Sequence, residues 1–414
     1  MRHHVYLVLL LPIATLGDVI TTRLAHHDLE LHSFPLTGRG LRTQRDRASG
    51  EVLLSFPDDA VIIAERVLRQ HEDLKKAAAH AHGEGATLSD DAVIACFLAQ
   101  ETRDNQNYVS TLPSEQPSVI GMVSEDLALL PRCYSRAAEA MHEHAVRQHE
   151  MCTAAMNAVG QSAPPLEAFL RSFAHVRARS VELDAQSFGL EARSELLRSE
   201  QRRRRAMLPL FDLVNHRPGA RTRLVRVAEA REWRLYAEDA YSAGEQVFVS
   251  YGDSKDNLRL LLHYGFAIGD NPGATIGFDV IDLVDGCVAA LPHVFGAHKE
   301  ALLRALLKQE SAQRKVSLTV YTVDAATGQA SEPLQTAFAI LEGMVTAKLG
   351  GSEEDAASLA EKALAAMLSA RLDELNARLE ESTQTPAPND VGLRHFIVTL
   401  MQAEHKSVQQ LVHM

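Results

Sequence analysis

Residues 207–216 read Met-Leu-Pro-Leu-Phe-Asp-Leu-Val-Asn-His, an apolar run that ends in the polar pair Asn215 and His216. Asparagine and histidine side chains each carry hydrogen-bond donors and acceptors, so each can bind a ligand in two ways. At the end of a buried strand, such a pair can hold a polar cofactor through side chain and main chain together. Taken alone, the segment is also compatible with an ordinary strand followed by an Asn-His turn.

A second segment, residues 243–252, reads Ala-Gly-Glu-Gln-Val-Phe-Val-Ser-Tyr-Gly and predicts a turn followed by a strand. The strand ends at Tyr251, whose hydroxyl can orient a reacting group or take part in proton transfer. Residues 260–266 then place Tyr264 and Phe266 at a helix end, where aromatic walls can form a narrow channel for an aliphatic or cationic side chain. Each pattern is also compatible with core packing.

Closely spaced glycines occur earlier in the chain, where residues 37–41 read Thr-Gly-Arg-Gly-Leu. The stretch lacks the Gly-Lys-Ser/Thr of a P-loop and the third glycine of a dinucleotide fingerprint, so it predicts neither. Gly38 and Gly40, on either side of Arg39, would still let backbone groups touch a ligand.

Strand-like and helical stretches alternate along the chain. Short strands punctuated by glycine and proline are predicted in residues 29–64 and again in residues 206–270. Residues 65–205 and 295–414 carry apolar residues at helical spacing. If the two strand-like pieces form one sheet domain, the helices between them are an insertion, which is tolerated where chain ends lie close together.

The composition excludes several classes of protein. The 414 residues are 46% hydrophobic, and 42 Lys and Arg against 54 Asp and Glu give a net charge of −12 with His neutral. This globular composition excludes a collagenous, coiled-coil or wholly disordered chain. An acidic chain is a poor general nucleic-acid binder, because phosphate neutralisation needs clustered cations. The four cysteines are far apart and show neither metal-type spacing nor a disulfide framework.

The N-terminus departs from this ordinary composition. Residues 1–17 combine a basic start with an apolar run that is too short to span a bilayer. The length suits a targeting peptide, but Pro12 interrupts the run and no clear cleavage site follows. A buried first helix or strand is the alternative, so the role of residues 1–28 stays open. We expect a cytoplasmic protein, with organelle or secretory-pathway targeting as the alternative.

Together, these segments resemble the SET-domain methyltransferases, specifically the branch typified by Rubisco large-subunit lysine methyltransferase. Residues 37–41 and 50–57 resemble that family's glycine motif and second strand. Residues 208–216 resemble its Asn-His cofactor segment, and residues 244–252 with 260–266 resemble its catalytic tyrosine segment.

The resemblance implies an α+β fold, in which a SET-domain β-fold is split by a helical insert and followed by an all-helical C-terminal substrate-binding domain. We therefore expect a SET domain over residues 29–270, with its insert at about 90–205, and the helical domain over residues 285–414. The same resemblance predicts a monomer whose protein substrate docks on the C-terminal helices. The acidic net charge predicts no nucleic-acid partner, and the lengths of the apolar segments predict no membrane span.

The resemblance also implies a cofactor, S-adenosyl-L-methionine, and a role for each motif. Five residues would hold the cofactor through backbone or side chain: Gly38, Arg39, Gly40, Asn215 and His216. Tyr251 would be the catalytic residue, and it would also contact the cofactor by lining the methyl-transfer pore. Three residues would line the channel for the acceptor side chain: Arg179, Tyr264 and Phe266. No metal is expected, because none of the motifs supplies ligands for one.

The activity that the resemblance implies is methylation of a lysine on a non-histone protein. A lysine must lose its proton before it accepts a methyl group, and an apolar aromatic channel favours the neutral amine by desolvation. A protein-histidine N-methyltransferase is one alternative, since imidazole is already largely neutral near pH 7. A non-catalytic SET-like protein-binding module is the other, although Asn215, His216 and Tyr251 together favour an enzyme.

Two further features have competing interpretations. His142, His144, His149 and Cys152 include metal-ligand types, but they do not all share one helical face, so a solvated helix is preferred. The basic run 202–205 could contact an acidic partner or act as a localisation signal. An exposed loop between the insert and the sheet is the preferred interpretation of that run.

Overall fold

The structure, a computed structural model, describes most of the chain: residues 24–35, 37–100, 106–114, 116–121, 125–184, 203–304, 321–384 and 393–413. The apolar segment 1–17 lies outside the described residues, so its interpretation stays open. The chain packs as two compact units, one formed by residues 1–116 and 148–251 and the other by residues 117–147 and 252–414.

The first unit carries four small sheets. Its strands are β1 Leu29–Phe34, β2 Gly38–Thr43, β3 Val52–Pro57, β4 Ile62–Ile63, β5 Ser180–Asp184, β6 Arg203–Met207, β7 Asn215–His216, β8 Thr222–Val227, β9 Glu232–Ala237 and β10 Phe248–Val249. The antiparallel sheets are β1–β2, β3–β9–β8 and β4–β6–β5, whereas β7 and β10 are parallel. One apolar cluster, which includes Leu41, Leu54, Trp233 and Val247, packs strands from both ends of the predicted SET region together.

Helices lie between these strands in the sequence, as the alternating pattern predicts. They are α1 Ala64–Gln70, α2 Glu72–Gly83, α3 Asp90–Ala99, α4 Gln106–Val109, α5 Arg132–Ala158 and α6 Leu166–Arg179. Ser89 caps α3, where its hydroxyl accepts from the backbone N–H of Ala92 at 3.2 Å. Because residues 92–98 are all buried, α3 is a core helix of this unit.

Two strands occupy sequence that was predicted to be helix or loop. β5 lies inside the predicted insert 90–205, and β6 includes three arginines of the basic run. Arg204 is fully buried and pairs with Glu65 at the start of α1, while Arg205 Nε lies 3.0 Å from Asp91 Oδ1. The exposed-loop interpretation of this run is therefore wrong, because acidic side chains on the neighbouring helices neutralise it within the unit.

The second unit is mainly helical, as predicted. Its elements are α7 Asn257–Tyr264, β11 Thr275–Phe278, α8 Val280–Ala290, α9 Pro292–Phe295, β12 Tyr321–Asp324, α10 Glu332–Lys348, α11 Glu353–Gln384 and α12 Leu393–Val412. β12 pairs antiparallel with β11, so one strand lies within the region that was predicted to be all helical. The α+β fold class is confirmed.

A buried cation organises the packing of the second unit. The Arg371 guanidinium lies 5.1 Å from the ring centroids of both Tyr134 and Phe278 and pairs with Glu404 at 2.7 Å. These contacts join α5, α11 and α12 around the end of β11. Among the described helices, no single one has the length and hydropathy of a membrane span; Val280–Ala290 and Pro292–Arg304, bent by 114°, meet those criteria only as a pair.

Candidate functional site

The site begins at the turn between β1 and β2. Gly38 has a φ of +65°, a left-handed conformation that favours glycine, and it pairs with Phe34 across the hairpin. The side-chain amide of Asn215 donates from Nδ2 to the carbonyl oxygens of Thr37 and Arg39, both at 3.1 Å. The two motifs that the sequence singled out, Asn215 and residues 37–40 (the glycine turn), therefore lie against each other.

Gly40 is required by close packing. A Cβ at this position would lie 2.6 Å from Asn215 Nδ2 and 2.6 Å from Gln246 Nε2, closer than Cβ atoms approach such groups. The missing side chain thus leaves room for two side-chain amides beside β2, and the Asn215 amide bonds the carbonyl of Arg39 there.

The parallel pair β7–β10 positions the next two predicted residues. Val249 pairs with His216, and two residues later the backbone N–H of Tyr251 donates to His216 Nδ1 at 3.0 Å. Because Nδ1 accepts this bond, the neutral imidazole carries its proton on Nε2. The two rings stack with centroids 5.1 Å apart, and the Tyr251 hydroxyl donates to the carbonyl of Val214 at 2.9 Å. His216 and the backbone of residues 214–216 therefore fix the orientation of the Tyr251 ring.

Arg179 reaches the same segment from the end of α6. Its Nη1 donates to the carbonyl of Asp212 at 2.9 Å, and its Nη2 donates to Gln116 Oε1 at 3.1 Å. Asp212 Oδ2 accepts from the Tyr108 hydroxyl at 2.7 Å. The structure thus brings all the predicted site residues of the first unit onto the glycine turn and residues 212–216.

Burial controls the ionisation of this polar cluster. It raises the pKa of the Asp212 carboxyl, against the opposing effects of Arg179 and Tyr108. Burial likewise raises the pKa of the Tyr108 phenol well above its usual value, and the nearby Asp212 adds to the effect. Asp212 Oδ1 and Arg179 Nε are buried without a partner among the described residues.

A buried histidine lies beside Arg179. Burial and, to a smaller extent, the charges of Arg179 and Arg171 lower the pKa of His175 to about 3, while a hydrogen bond to the backbone of Pro113 opposes them. The side chain is 4% exposed. His175 is therefore neutral in the folded protein at any pH near 7.

This histidine predicts acid sensitivity of the first unit. The folded pKa lies below the unfolded value of 6.5, so the stability it contributes is complete above that value and is lost as the pH falls. Between about pH 7.5 and about pH 5, we expect His175 to lower the free energy of unfolding by about 2 kcal/mol. Urea denaturation at both pH values should show this loss in the wild type and not in His175→Gln, whose amide does not titrate. Equal pH dependence in the two proteins would contradict the assignment.

Two predicted channel residues belong to the second unit. α7 ends at Tyr264, and Gly265 follows in the left-handed conformation, with φ +78°. Tyr264 and Phe266 pack with ring centroids 6.2 Å apart, Phe266 lies 6.4 Å from Phe396, and Lys255 Nζ lies 6.0 Å from the Tyr264 ring centroid. They form an aromatic cluster within their own unit.

The histidines of α5 have structural contacts. His142 Nδ1 lies 2.8 Å from the carbonyl of Ile120, and His149 Nε2 lies 2.9 Å from that of Pro164. No group of three or more histidine, cysteine or acidic side chains that could hold a metal ion occurs within the described ranges.

Three residues of the site were not among the predicted site residues: Tyr108, Asp212 and Gln246. The signal for Asp212 is a charged residue inside the apolar run 207–214, because a buried charge needs partners. Gln246 is 8% exposed, and its Oε1 accepts from the Thr37 hydroxyl at 3.0 Å. For Gln246, the sequence offered a weak signal, a polar residue at the start of an apolar strand.

The chain matches a known family over just over half of its length. The sequence model of the family described as "SET domain" matches residues 38–252, just over half of the chain. SET domain-containing protein 4 of Mus musculus is 27% identical over 266 residues, covering 60% of this chain and 56% of that protein. The actin-histidine N-methyltransferase of Drosophila melanogaster is 27% identical over 276 residues, covering 63% of this chain and 50% of that protein. The chain therefore matches about half the length of these curated relatives.

A solved structure shares the fold. The crystal structure of the SET domain of LSMT bound to lysine and AdoHcy superposes with a TM-score of 0.61, covering 97% of this chain and 91% of that one, at 14% identity.

Proposed function

Because this chain belongs to the SET-domain family, we propose that it is an S-adenosylmethionine-dependent methyltransferase that modifies a lysine side chain of a non-histone protein. The observation that carries the proposal is the attachment of Asn215 to the glycine turn beside the stacked pair His216 and Tyr251. Docking of the protein substrate on the C-terminal helices and a monomeric state stay predictions.

The residues present fit this cofactor. The absent Cβ of Gly40 leaves the main chain of the glycine turn open to close approach, and the Asn215 amide meets the carbonyls of Thr37 and Arg39 there. Such a set of backbone and amide groups suits a ligand with both an ammonium and a carboxylate group. The backbone of residues 38–40 with Asn215 and His216 would hold the cofactor, which supplies an electrophilic methyl group when bound.

The hydrogen bond of the Tyr251 hydroxyl supports an orienting role for Tyr251 rather than proton exchange. Its hydroxyl proton is engaged by the carbonyl of Val214, so the phenolic oxygen presents lone pairs. Such an oxygen can accept weak C–H···O contacts, each worth about 0.5–1 kcal/mol. Because transfer of a methyl group requires in-line geometry, correct placement of the reacting groups supplies much of the rate enhancement.

The acceptor amine must be neutral, and the charges at the site favour that form. The guanidinium groups of Arg39 and Arg179 lie on the same polar cluster, and positive charge nearby disfavours a protonated amine. The aromatic pair Tyr264 and Phe266 supports lysine as the acceptor, since apolar rings suit its aliphatic stem and favour the neutral amine by desolvation.

A histidine acceptor is the second candidate. It is favoured by the similarity to the Drosophila actin-histidine N-methyltransferase. Imidazole needs less help to lose its proton, because its ordinary pKa of about 6.5 leaves it largely neutral near pH 7.

The test uses the full chain, cofactor labelled in its methyl group and a proteome extract. We expect label in protein hydrolysates as methyllysine, and we expect Asn215→Ala to lose both cofactor binding and labelling. Methylhistidine without methyllysine would replace the acceptor assignment. If the wild type neither binds the cofactor nor transfers label, the enzyme proposal fails and the protein-binding module remains.

Filling the space at Gly40 should impair the site. In Gly40→Ala the new Cβ meets two amide nitrogens at 2.6 Å, so the turn or both side chains must move. We expect cofactor affinity to fall at least about tenfold and the unfolding free energy to fall by about 1–3 kcal/mol. Calorimetric titration and urea denaturation measure the two effects. The matched control is Gly83→Ala, where a Cβ meets nothing within 4 Å; an equal loss there would contradict the steric explanation.

A further inference from the structure

Thr37 in the glycine turn is held from two sides. Its carbonyl accepts from Asn215 Nδ2 at 3.1 Å, and its hydroxyl donates to Gln246 Oε1 at 3.0 Å. Asn215 begins β7 and Gln246 lies just before β10, which pairs with β7. Two neighbouring parallel strands therefore anchor the same residue of the turn.

Gln246 is a polar side chain at a core position. It is 8% exposed, and its Nε2 has no hydrogen-bond partner among the described residues. A buried N–H without an acceptor destabilises the fold, so an apolar side chain of the same length would suit a purely structural position better. The bond that Oε1 accepts from Thr37 is the contact that explains an amide here.

The main chain of residue 246 also belongs to the site. Gln246 forms an antiparallel bridge with Arg42 of β2, and the next residue, Val247, donates its N–H to the carbonyl of Leu41 at 2.8 Å. The amide therefore projects from backbone that is fixed to the same strand whose first residues form the glycine turn. A short, rigid path joins Gln246 to that turn.

We propose that Gln246 is a positioning residue for the cofactor, which acts through Thr37 to fix the glycine turn in the conformation that holds S-adenosylmethionine. The inference rests on the proposed function and gives Gln246 no contact with the cofactor. Gln246 and Asn215 thus have related tasks: Asn215 fixes the carbonyls of the turn, and Gln246 fixes its side-chain hydroxyl.

The experiment measures the affinity of the full chain for S-adenosylhomocysteine by calorimetry and the melting temperature of each ligand-free protein. The variants are Thr37→Val, which removes the hydroxyl, Thr37→Ser, which keeps it, Gln246→Met and the double variant Thr37→Val/Gln246→Met. The matched control is Ser49→Ala, which removes an exposed hydroxyl that donates to the carbonyl of Glu238 at 2.8 Å.

We expect Thr37→Val and Gln246→Met each to weaken binding by about five- to tenfold, the loss typical of one hydrogen bond. The double variant should bind S-adenosylhomocysteine with the same affinity as whichever single variant binds it less tightly, because both changes break the same bond. Thr37→Ser and Ser49→Ala should bind as the wild type does, and Gln246→Met should melt no lower than the wild type.

Four results would overturn the inference while leaving the proposed function intact. They are unchanged affinity in Gln246→Met, losses that multiply in the double variant, failure of Thr37→Ser to restore binding, and a lowered melting temperature in Gln246→Met. Absence of binding by the wild type overturns the proposed function and this inference together.

Discussion

Replacing Tyr251 by Phe is expected to lower the rate of methyl transfer by about five- to thirtyfold, which corresponds to the loss of two C–H···O contacts of about 0.5–1 kcal/mol each. The hydroxyl is held by the carbonyl of Val214 at 2.9 Å, and the ring is held by its stack on His216. Phe keeps the ring and the stack but leaves no oxygen to accept contacts from the reacting group. Initial rates with labelled cofactor at saturating substrate measure the effect.

Cofactor affinity separates this role from a structural one. Because Asn215 and the glycine turn are untouched, Tyr251→Phe should bind S-adenosylhomocysteine within about threefold of the wild type. The control is Tyr236→Phe, since Tyr236 is also half-buried in the first unit and its ring centroid lies 5.3 Å from the Arg223 guanidinium. A rate loss in Tyr251→Phe that matches the loss in Tyr236→Phe would show that Tyr251 has no special part in the transfer.

The local pattern of the sequence predicted several strands of the first unit. β1, β3, β8 and β9 lie where alternation and glycine or proline punctuation placed them. β10 has two residues and is shorter than predicted. The backbone N–H of Val247, before it, donates to the carbonyl of Leu41, and that of Tyr251, after it, donates to the His216 side chain. Local periodicity indicates extended backbone, but the length of a paired strand depends on how far the neighbouring strand continues beside it.

The parts that could not be predicted depend on contacts between distant residues. Gln246 meets Thr37 across 209 positions and Tyr108 meets Asp212 across 104, so no window of sequence contains either pair. Asn215 was selected by its motif, yet the finding that its amide binds the carbonyls of the glycine turn required the fold. Motifs thus identified residue types, and the sheet pairing determined their partners.

The basic run is the clearest case of tertiary context overriding sequence pattern. Consecutive arginines are typical of a solvated segment, because burying one charge is costly without a partner. Here β6 alternates its side chains between two faces, which leaves Arg203 exposed and places Arg204 in the core. Glu65, 139 positions away, supplies a carboxylate that pairs with the buried guanidinium.

Removal of this buried cation should give the largest stability effect. In Arg204→Ala, the Glu65 carboxylate, whose side chain is 11% exposed, keeps its charge without a partner, so we expect the unfolding free energy to fall by about 3–5 kcal/mol. Arg203→Ala, on the exposed face of β6, should change it by less than about 0.5 kcal/mol. Urea denaturation followed by circular dichroism measures both variants.

A double variant tests whether the ion pair or the unpaired charge determines stability. Replacing a buried pair with apolar side chains of similar volume is often neutral or stabilising, because the desolvation cost of both charges disappears. Arg204→Met/Glu65→Met should therefore regain most of what Arg204→Ala loses and lie within about 1–2 kcal/mol of the wild type. If the double variant is as unstable as Arg204→Ala, the guanidinium stabilises the unit through contacts other than the one with Glu65. Arg204 itself would then be needed for the packing of β6, and not merely to balance the charge of Glu65.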